Sequence, residues 1–425
     1  MELSPKQQSF FYSELKRINI LTGSIRAGKT VVSLLKWALW IASQPKEFAF
    51  LMAGRTLTTL KRNCLMPLQK FVGSKNFSYS LSSKEGQLFG RTVYLEGAND
   101  EQAEDKIQGL TLAGAYCDEI TLMPKGFVTV LLGRLSDGEG ILIATCNPEN
   151  PNHYIKTDYI DATGLDIAVW HFLLTDNAQF LGKRYIENIM REMTGVYYQR
   201  LILGQWVRAE GLVFDLFAKQ PEKYEINEPP NDLEFITIGV DFGGNKSKTV
   251  FTATGFRRGW TGIVTLADHE IKGGKGTIDP NRLYDEYVDF AKRVQREFGT
   301  QGKGPAERKI PVRYVFADSA EQYLIAGMRG VCRREGLTLP VDSKKIPIRD
   351  RVFFLNRMIA AGRYEILKGC DTIKESLCGL SWNEKEGHED EILDIPGETP
   401  VDGFDALSYS IERFIPYFEA KGEKK

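Results

Sequence analysis

The chain has 425 residues, of which 42% are hydrophobic and 26% are charged. These proportions are typical of a globular protein, and the length predicts two or three domains because one hydrophobic core does not serve so long a chain. Lys and Arg number 55, and Asp and Glu number 56. Because these charges nearly balance, the net charge does not indicate a nucleic-acid-binding protein, and a DNA-binding surface has to be a local patch.

The cysteine, histidine and apolar patterns argue against several other classes of protein. The six cysteines show no paired metal-ligand spacing and none of the four histidines lies near a cysteine pair, which disfavours a zinc site and favours a reducing compartment. The most apolar run, residues 31–42, is interrupted by Lys36 and is too short to span a bilayer. The N-terminus lacks the layout of a signal peptide. We therefore expect a soluble, intracellular protein with no membrane partner.

Short β-rich runs alternate with segments of helical period in the first half of the chain. Strands are predicted at residues 17–22, 47–53, 112–117 and 140–146, and helices at residues 29–43 and 57–72. In the first helix the apolar residues predicted to share one face are Val32, Leu35, Leu39 and Ala42. Residues 77–81 and 91–96 predict a hairpin insertion. The alternation indicates an α/β domain, with a largely parallel sheet covered by helices on both faces, over residues 1–210.

A change of pattern marks the second half of the chain. Residues 211–232 carry three prolines, mixed charge and no sustained period, so they are predicted to be a linker. A second domain is predicted over residues 233–425. Its strands are predicted at residues 234–241, 248–253, 262–268 and 313–317, the first three antiparallel, and its helices at residues 281–298 and about 403–414. Residues 299–309 are predicted to be a flexible basic loop.

A phosphate-binding motif lies between the first predicted strand and helix. Its residues, Gly23-Ser24-Ile25-Arg26-Ala27-Gly28-Lys29-Thr30, match G-x-x-x-x-G-K-[ST] at every defined position. The glycines allow backbone N–H groups to surround phosphates, and the helix N-terminus adds a positive field. Lys29 is expected to reach the β- and γ-phosphates and Thr30 to bind Mg²⁺. Because strand, loop and helix occur together, a chance glycine turn is disfavoured, and the sequence predicts ATP binding and hydrolysis.

Polar residues lie at the ends of the strands predicted at residues 112–117 and 140–146. Asp118 and Glu119 can hold Mg²⁺ and polarise the attacking water, although alone such a pair is more often a solvated turn. Thr145 and Asn147, on either side of Cys146, can sense the γ-phosphate, and an ordinary Asn-Pro turn is the competing interpretation.

Two arginines and one glutamine are weaker candidates for the same site. Arg26 lies in the phosphate loop and Arg134 follows a predicted helix, so Arg26 could neutralise transition-state charge in cis and Arg134 from a neighbouring subunit. Most single arginines only solvate a surface. Gln7, which precedes the first strand, could read the edge of adenine.

Three aspartates of the second domain fit the needs of a two-metal nuclease. Asp241 and Asp318 each end a predicted strand, and Asp405 lies in the first turn of the closing helix. A turn explains Asp241 equally well, and a helix cap explains Asp318. Asp402 and Asp405 have the spacing of an N-cap followed by an acidic third position, a purely structural alternative.

Taken in order, these motifs resemble the large terminase subunits of tailed bacteriophages. The shared stretches are GSIRAGKT, a strand ending in CDE, a strand ending in TCNP, GQWVRAEGLVFDLF leading into IGVDFGG, YVFADSAE, GCDTIKESLCGLSWNE and VDGFDALSYS. The resemblance covers nearly the whole chain, in the same order. It implies an N-terminal P-loop ATPase of the additional-strand, conserved-glutamate class and a C-terminal nuclease domain with a ribonuclease H-like fold.

The resemblance also implies a function, cofactors and partners. Such a protein uses ATP and Mg²⁺ to translocate double-stranded DNA into a procapsid and cuts concatemeric DNA at a two-metal site, where Mn²⁺ can serve. Its partners are DNA, the portal protein, the small terminase subunit and further copies of itself in a ring on the procapsid, while a monomer in solution stays open. Its location is the host-cell cytoplasm, outside the mature virion.

Residue roles follow from the matching positions. Lys29 and Thr30 match the phosphate-loop pair, Asp118 and Glu119 the metal and water residues, Thr145, Cys146 and Asn147 the coupling motif, Arg26 and Arg134 the candidate arginine fingers, Gln7 the adenine reader, and Asp241, Asp318 and Asp405 the nuclease acids. Relatives often carry Asp-His-x-x-Asp-Ala near the end, whereas Asp402 occupies the histidine position here. Whether Asp402 binds metal therefore stays open.

Two other functions remain open on the sequence. One is a cellular ATP-dependent helicase or translocase whose second domain only binds DNA, and it would require further nucleic-acid motifs that are not visible. The other is a nuclease with an ATP-sensing switch, which predicts cutting without DNA-stimulated ATP turnover.

Overall fold

The computed structural model describes residues 2–243, 247–272, 279–302, 307–385, 388, 390–396 and 398–422. Contacts between Cα atoms divide the chain into two compact units. The first contains residues 1–190 and 195–208, and the second contains residues 191–194 and 209–425. Parts of two predicted features, residues 303–306 of the basic loop and Gly244 after Asp241, lie outside the described residues.

A mixed sheet forms the centre of the first unit. Its strands among the described residues are β1 (Ile18–Gly23), β2 (Ala49–Gly54), β3 (Phe77–Ser80), β4 (Glu85–Leu88), β5 (Arg91–Gly97), β6 (Gly114–Cys117), β7 (Ile141–Thr145) and β8 (Ile167–Phe172). They lie in the order β3-β4-β5-β2-β6-β7-β1-β8, and the pairs from β5 to β8 are parallel. The predicted α/β class and largely parallel sheet are therefore confirmed.

Helices surround this sheet. Those of the first half of the chain are α1 (Pro5–Tyr12), α2 (Lys29–Ser43), α3 (Leu57–Leu60), α4 (Met66–Val72), α5 (Lys125–Arg134), α6 (Lys183–Glu192) and α7 (Gly195–Tyr197), with a π-helical segment, Lys61–Leu65, joining α3 to α4. The predicted face of α2 is wrong, because Leu39 is 59% exposed whereas Leu34, Trp37 and Ile41 are fully buried. Since α2 is apolar on nearly every side, its sequence fits more than one buried face.

The predicted hairpin insertion is a three-stranded ribbon. β3 pairs with β4 and β4 with β5, both antiparallel, so the two predicted strands do not pair with each other. β5 also joins the main sheet through a parallel pairing with β2. The short intervening strand, Glu85–Leu88, has two buried residues, and one of them is Gly86. Glycine weakens the strand signal in a sequence.

The second unit is built on another mixed sheet. Its strands among the described residues are β9 (Glu225–Ile226), β10 (Leu233–Asp241), β11 (Thr249–Arg257), β12 (Ile263–Ile271), β13 (Thr300–Gln301), β14 (Arg308–Lys309), β15 (Val312–Ala317), β16 (Pro340–Asp342) and β17 (Tyr364–Leu367). β13 and β14 pair only with each other, and the others lie in the order β16-β15-β10-β11-β12-β17-β9. The predicted antiparallel run is confirmed as β10-β11-β12.

The second unit also contains α-helices. They are α8 (Asp215–Lys219), α9 (Pro280–Phe298), α10 (Gln322–Glu335), α11 (Ile348–Ala360), α12 (Asp371–Gly379), α13 (Val401–Ile411) and α14 (Ile415–Gly422). α13 lies directly on β10: a Cβ atom placed on Gly239 would come 1.9 Å from the carbonyl oxygen of Ala406. Glycine at this position lets the closing helix approach the strand that ends at Asp241.

Much of the predicted linker is folded within the second unit. Val213, Phe214, Phe217 and Tyr224 are buried, and the backbone N–H of Val213 donates to the carbonyl of Leu380. These side chains have apolar neighbours far away in sequence, which a scan for prolines and charge does not reveal. The predicted domain limits themselves, 1–210 and 233–425, stay a prediction.

None of the described helices is long and apolar enough to cross a membrane.

Candidate ATPase site and acid cluster

The phosphate loop connects β1 to α2 through a strained backbone. Gly28 has φ 82° and precedes the first residue of α2, and Arg26 has φ 54°, a left-handed conformation that is rare outside glycine. The loop is fixed by two backbone bonds: the N–H of Ser24 donates to Phe172 at 2.8 Å and that of Ile25 to Leu201 at 2.9 Å. The loop therefore holds its curve through contacts with the chain itself.

Lys29 lies buried in this loop. Its Nζ donates to the carbonyl oxygens of Gly23 at 2.9 Å and Ser24 at 2.6 Å, and to the amide oxygen of Asn147 at 3.0 Å. Burial lowers the pKa of Lys29 to about 8, while the nearby carboxylates of Glu119 and Asp118 act in the opposite direction. The ammonium thus connects the phosphate loop with the predicted coupling motif.

The residues that follow β6 and β7 meet at one edge of the sheet. These strands are parallel neighbours with Cys117 opposite Ala144, so Asp118 and Thr145 lie side by side. The hydroxyl of Thr145 donates to Oδ1 of Asp118 at 3.0 Å and accepts from the backbone N–H of Glu119 at 3.2 Å. Glu119 itself has φ 56°. Adjacent carboxyl ends of parallel strands thus bring the predicted metal, water and coupling residues together, as in other α/β ligand sites.

Asn63 is a neighbour of Asp118 that no motif in the sequence indicates. It lies in the π-helical segment between α3 and α4, and its Nδ2 donates to Oδ2 of Asp118 at 3.2 Å. A π-helical turn is often found at functional sites, but its sequence signal is weak, so Asn63 could be recognised only once the fold placed it beside Asp118.

The remaining candidates lie at different places. Arg26 is exposed at the loop, and its carbonyl accepts from Asn177 at 2.8 Å. Arg134 ends α5, and its carbonyl accepts from the N–H of Leu112, six residues before Asp118. That separation is about 20 Å along an extended strand, so Arg134 lies away from the Asp118 edge of its own sheet.

Gln7 approaches the loop from α1. Its Nε2 donates to the carbonyl of Gly28 at 3.1 Å, and its Oε1 accepts from the backbone N–H of Ser4 at 2.9 Å. The amide is therefore bonded within the chain, next to the phosphate loop. Thr30, the second residue of α2, is half-buried.

Four aspartates form what we call the acid cluster: Asp241, Asp318, Asp402 and Asp405. β10 and β15 are parallel with Val240 opposite Ala317, which places Asp241 beside Asp318 at the carboxyl ends of the two strands. Asp402 and Asp405 come from α13, which packs on β10, as the hydrogen bond from Thr237 to the Ser410 carbonyl at 2.8 Å shows. The structure thus brings together all four predicted acids of the second unit.

Mutual repulsion and burial perturb these carboxyl groups. Burial raises the pKa of Asp241 well above its ordinary value, and the charges of Asp405, Asp402 and Asp318 raise it further. Burial also raises the pKa of Asp405, although the Arg351 guanidinium, 2.7 Å from its Oδ1, opposes this effect. Strand pairing and the packing of α13 on β10 gather the four carboxyl groups in one region, and such a concentration of negative charge favours a bound cation.

The acids also have partners within the chain. Lys345 forms an ion pair with Asp318, Arg351 with Asp405, and the backbone N–H of Lys248 donates to Asp402 at 2.7 Å. The capping interpretation of Asp402 and Asp405 is wrong, because α13 begins at Val401 and its N-cap is Pro400.

The donor chemistry of the cluster fits a hard divalent cation, which prefers carboxylate oxygens. Among the described residues, however, no three acidic, histidine or cysteine side chains are arranged so that they could hold a metal ion. Two of the four acids instead face the cations of Lys345 and Arg351.

The fold and the loop define a P-loop protein with a second α/β unit. Residues 20–220 match the family described as terminase large subunit, T4likevirus-type, N-terminal. The structure is similar to that of the large terminase from a thermophilic bacteriophage, with a TM-score of 0.81 and 26% identity over 98% of this chain and all of that one. The chain thus resembles the large terminase subunits of bacteriophages, and the resemblance predicted from its sequence is confirmed.

Two further structures of the same thermophilic phage protein contain nucleotides. The complex with ADP has a TM-score of 0.79 and 25% identity over 96% of this chain, and the complex with ATP-γ-S has a TM-score of 0.78 and 26% identity over 97%; both relatives are covered in full. No curated protein sequence matches the chain.

Proposed function

We propose that the first unit hydrolyses ATP at the phosphate loop to drive DNA packaging. The observation that carries the proposal is the position of Lys29, whose ammonium bonds both to the loop and to Asn147. ATP would take its γ-phosphate to this ammonium, so that Asn147 could respond to hydrolysis. The large terminase of the thermophilic phage, which was solved with ADP and with ATP-γ-S, supports a nucleotide here.

The remaining roles at this site follow from the same geometry. Thr30 and Asp118 would hold Mg²⁺, which would neutralise phosphate charge. Glu119, whose backbone is fixed through Thr145, would orient the attacking water. Arg26, which lies in the phosphate loop, would act in cis. Arg134, which lies away from the Asp118 edge, would act only on the site of a neighbouring subunit in a ring.

The second unit is proposed to be a ribonuclease H-like nuclease. Its antiparallel β10-β11-β12 run with β15 parallel to β10, and acids at the ends of β10 and β15, support this fold. Asp241, Asp318 and Asp405 would hold two divalent cations, Mg²⁺ or Mn²⁺, which would activate water and stabilise the leaving oxygen. Asp402 would orient the cluster through its bond to Lys248, or bind metal through water.

The partners and location are proposed on the family relationship. They are double-stranded DNA, the portal protein, the small terminase subunit and a homo-oligomeric ring on the procapsid, in the cytoplasm of the host. The ATPase and nuclease domains are proposed to span residues 1–210 and 233–425.

The decisive experiment separates the two activities on one preparation. Supercoiled plasmid is incubated with Mg²⁺ or Mn²⁺ and ATP, and both cutting and phosphate release are measured for the wild type, Lys29→Ala and Asp241→Asn. We expect Lys29→Ala to lose ATP hydrolysis and keep cutting, and Asp241→Asn to lose cutting and keep hydrolysis. Lys70→Ala and Asp289→Asn make the same changes at exposed helix positions and should retain both activities.

The outcomes also distinguish the alternatives. If Asp241→Asn cuts as fast as the wild type, the nuclease assignment is wrong and a translocase with a DNA-binding domain is favoured. Cutting without any stimulation of ATP hydrolysis by DNA would favour a nuclease with an ATP-sensing switch.

A further inference from the structure

The loop that follows β16 is fixed by a buried carboxylate. The backbone N–H groups of three successive residues, Lys344, Lys345 and Ile346, all donate to Glu412, at 2.9 Å for Lys345 and 3.1 Å for Ile346. Glu412 is only 1% exposed, and it follows directly after α13, which carries Asp402 and Asp405. Consecutive N–H groups that converge on one anion form a rigid arrangement, and bonds to a charged acceptor are the stronger ones.

This arrangement forces an unusual backbone conformation on Lys345. Its φ of 47° lies in the left-handed region, which costs a residue with a Cβ atom free energy unless the surroundings stabilise it. The bonds to Glu412 stabilise it, and the loop is anchored on its other side by the N–H of Ser343, which donates to Ala317 at 2.8 Å. Ala317 directly precedes Asp318, so the loop runs beside the acid cluster.

The consequence is that the Lys345 ammonium reaches the acid cluster. It forms an ion pair with Asp318, and its positive charge opposes the rise in the pKa of Asp241. Its neighbour Lys344 is exposed, and its backbone N–H, but no described side-chain contact, joins it to the same network. Two adjacent lysines thus differ in whether their side chains engage the cluster.

We propose that Lys345, positioned by Glu412, is the counter-ion of Asp318 and sets the concentration of divalent cation that the acid cluster requires. The inference rests on the proposed nuclease function. A metal ion that binds Asp318 must share this carboxylate with the ammonium, whose positive charge opposes the metal. Glu412 is a positioning residue: it acts on the metal only through Lys345.

The test measures binding of Mn²⁺ to the full chain by calorimetry, without DNA or nucleotide. Lys345→Met removes the ammonium and keeps most of the stem, so we expect Mn²⁺ to bind about three- to tenfold more tightly, in line with the loss of one partly exposed ion pair. Lys344→Met is the matched control and should bind like the wild type. Unchanged or weaker binding by Lys345→Met overturns the proposal.

Glu412 is tested by a double-mutant cycle. Glu412→Ala should tighten Mn²⁺ binding in the same direction, and the double variant Lys345→Met with Glu412→Ala should bind like Lys345→Met alone. Additive effects would show that Glu412 does not act through Lys345. Glu412→Gln, which keeps an acceptor for two of the three N–H groups, should give an intermediate affinity and is used if Glu412→Ala does not fold.

Asp241→Asn separates this inference from the proposed function. If the wild type and Asp241→Asn bind Mn²⁺ equally, the acid cluster is not the metal site and the proposed nuclease fails. If Asp241→Asn loses binding while Lys345→Met matches the wild type, the metal site stands and only the role of Lys345 is wrong.

Discussion

Gly28 occupies a position in the phosphate loop where both the backbone and the space restrict the residue. Its φ is 82°, and an added Cβ would lie 2.5 Å from Nε2 of Gln7 and 3.0 Å from Oδ1 of Asn177. We predict that Gly28→Ala displaces the loop and lowers kcat/KM for ATP by about 10- to 100-fold, since displacements near 1 Å have effects of this size. Steady-state hydrolysis measures the change.

Gly109 provides the matched control for this prediction. It has the same φ of 82°, but a Cβ there meets no atom within 4 Å. Gly109→Ala should therefore cost only about 1 kcal/mol of stability and leave hydrolysis near the wild-type rate. If Gly28→Ala were as active as Gly109→Ala, neither backbone strain nor the contact with Gln7 and Asn177 would limit residue 28.

Asp268 gives the second unit a defined pH dependence. Its carboxylate accepts from the N–H of Ile373 at 2.9 Å, and burial raises its pKa to about 6, above the value of about 4 expected in the unfolded chain. Between these two values the folded protein holds more protons than the unfolded chain, so the stability contributed by Asp268 is lost as pH rises from 4 through 6.

We therefore predict that wild type loses stability relative to Asp268→Asn between pH 4.5 and pH 7.5. The difference should be on the order of 2 kcal/mol, and the melting temperatures of both proteins at each pH measure it. Asp289→Asn, at an exposed position of α9, should show no such change. Parallel pH profiles of wild type and Asp268→Asn would contradict the assignment.

At the scale of single residues, the sequence predicted the site residues that are adjacent in the chain and missed those that only folding brings together. The phosphate loop could be recognised because eight adjacent residues carry its chemistry. Asn63, Lys345, Arg351 and Glu412 could not, because each acquires its partner only through folding: Arg351 lies 54 residues from Asp405. Lone lysines and arginines are most often solvated, so nothing in the sequence indicated a role for Lys345 or Arg351.

Helix α1 is held in place by a lysine from α2. Lys36 donates to the carbonyls of Phe10 at 2.8 Å, Phe11 at 3.1 Å and Ser13, and thereby caps the end of the helix that carries Gln7. Lys36→Met leaves these buried and partly buried carbonyls without their donor, which costs about 1–3 kcal/mol locally. We predict faster hydrogen exchange in residues 5–13 and a higher KM for ATP, with kcat nearly unchanged.

The control is Lys70→Met, at an exposed position of α4. It should alter neither hydrogen exchange in residues 5–13 nor the KM. If Lys36→Met loosens α1 without changing the KM, then Gln7 does not contribute to nucleotide binding and the adenine-reading role predicted for it is wrong.

At the scale of elements, strands with buried faces were the most predictable. β1, β7 and β10 were placed within two residues because β-branched and aliphatic runs mark strands that are covered on both faces. The prediction of the ribbon lacked β4, because a four-residue strand that contains glycine has a weak sequence signal. The buried face of α2 was wrong because burial is decided by neighbours, here Phe50 and Tyr116 against Trp37, that the helix sequence does not contain.

At the scale of the whole molecule, the order of the motifs predicted more than any of them alone. Asp241, Asp318 and Asp405 are separated by 77 and 87 residues, yet parallel pairing of β10 with β15 and packing of α13 on β10 bring them together. The sequence positions of these three aspartates alone are explained equally by turns or helix caps. The resemblance predicted their meeting, and geometry explains it.

A series of hydrogen bonds leads from the phosphate loop toward the last residues of the first unit. Lys29 bonds to Asn147, and two residues later Glu149 accepts from Nη1 of Arg200 at 3.4 Å. Arg200, only 4% exposed, also donates to the carbonyl of Val207 through Nε at 3.0 Å and Nη2 at 2.5 Å. The segment that contains Arg200 is bonded to the phosphate loop as well, since the Ser24 hydroxyl donates to Ile202 at 2.6 Å.

We therefore predict that Arg200→Ala separates nucleotide binding from its effect on residues 203–208, the last of the first unit. In the wild type, ATP-γ-S should change the hydrogen exchange of this segment. The Lys29 ammonium donates to Asn147 in this structure, and the γ-phosphate would compete with Asn147 for that ammonium. In Arg200→Ala that change should disappear while nucleotide affinity falls by less than about threefold, since the variant leaves every residue of the phosphate loop in place. Arg184→Ala, at an exposed position of α6, should respond like the wild type. A full response of residues 203–208 in Arg200→Ala would mean that the signal travels through Ser24 and Ile202 instead, and Ser24→Ala would then be the variant that abolishes it.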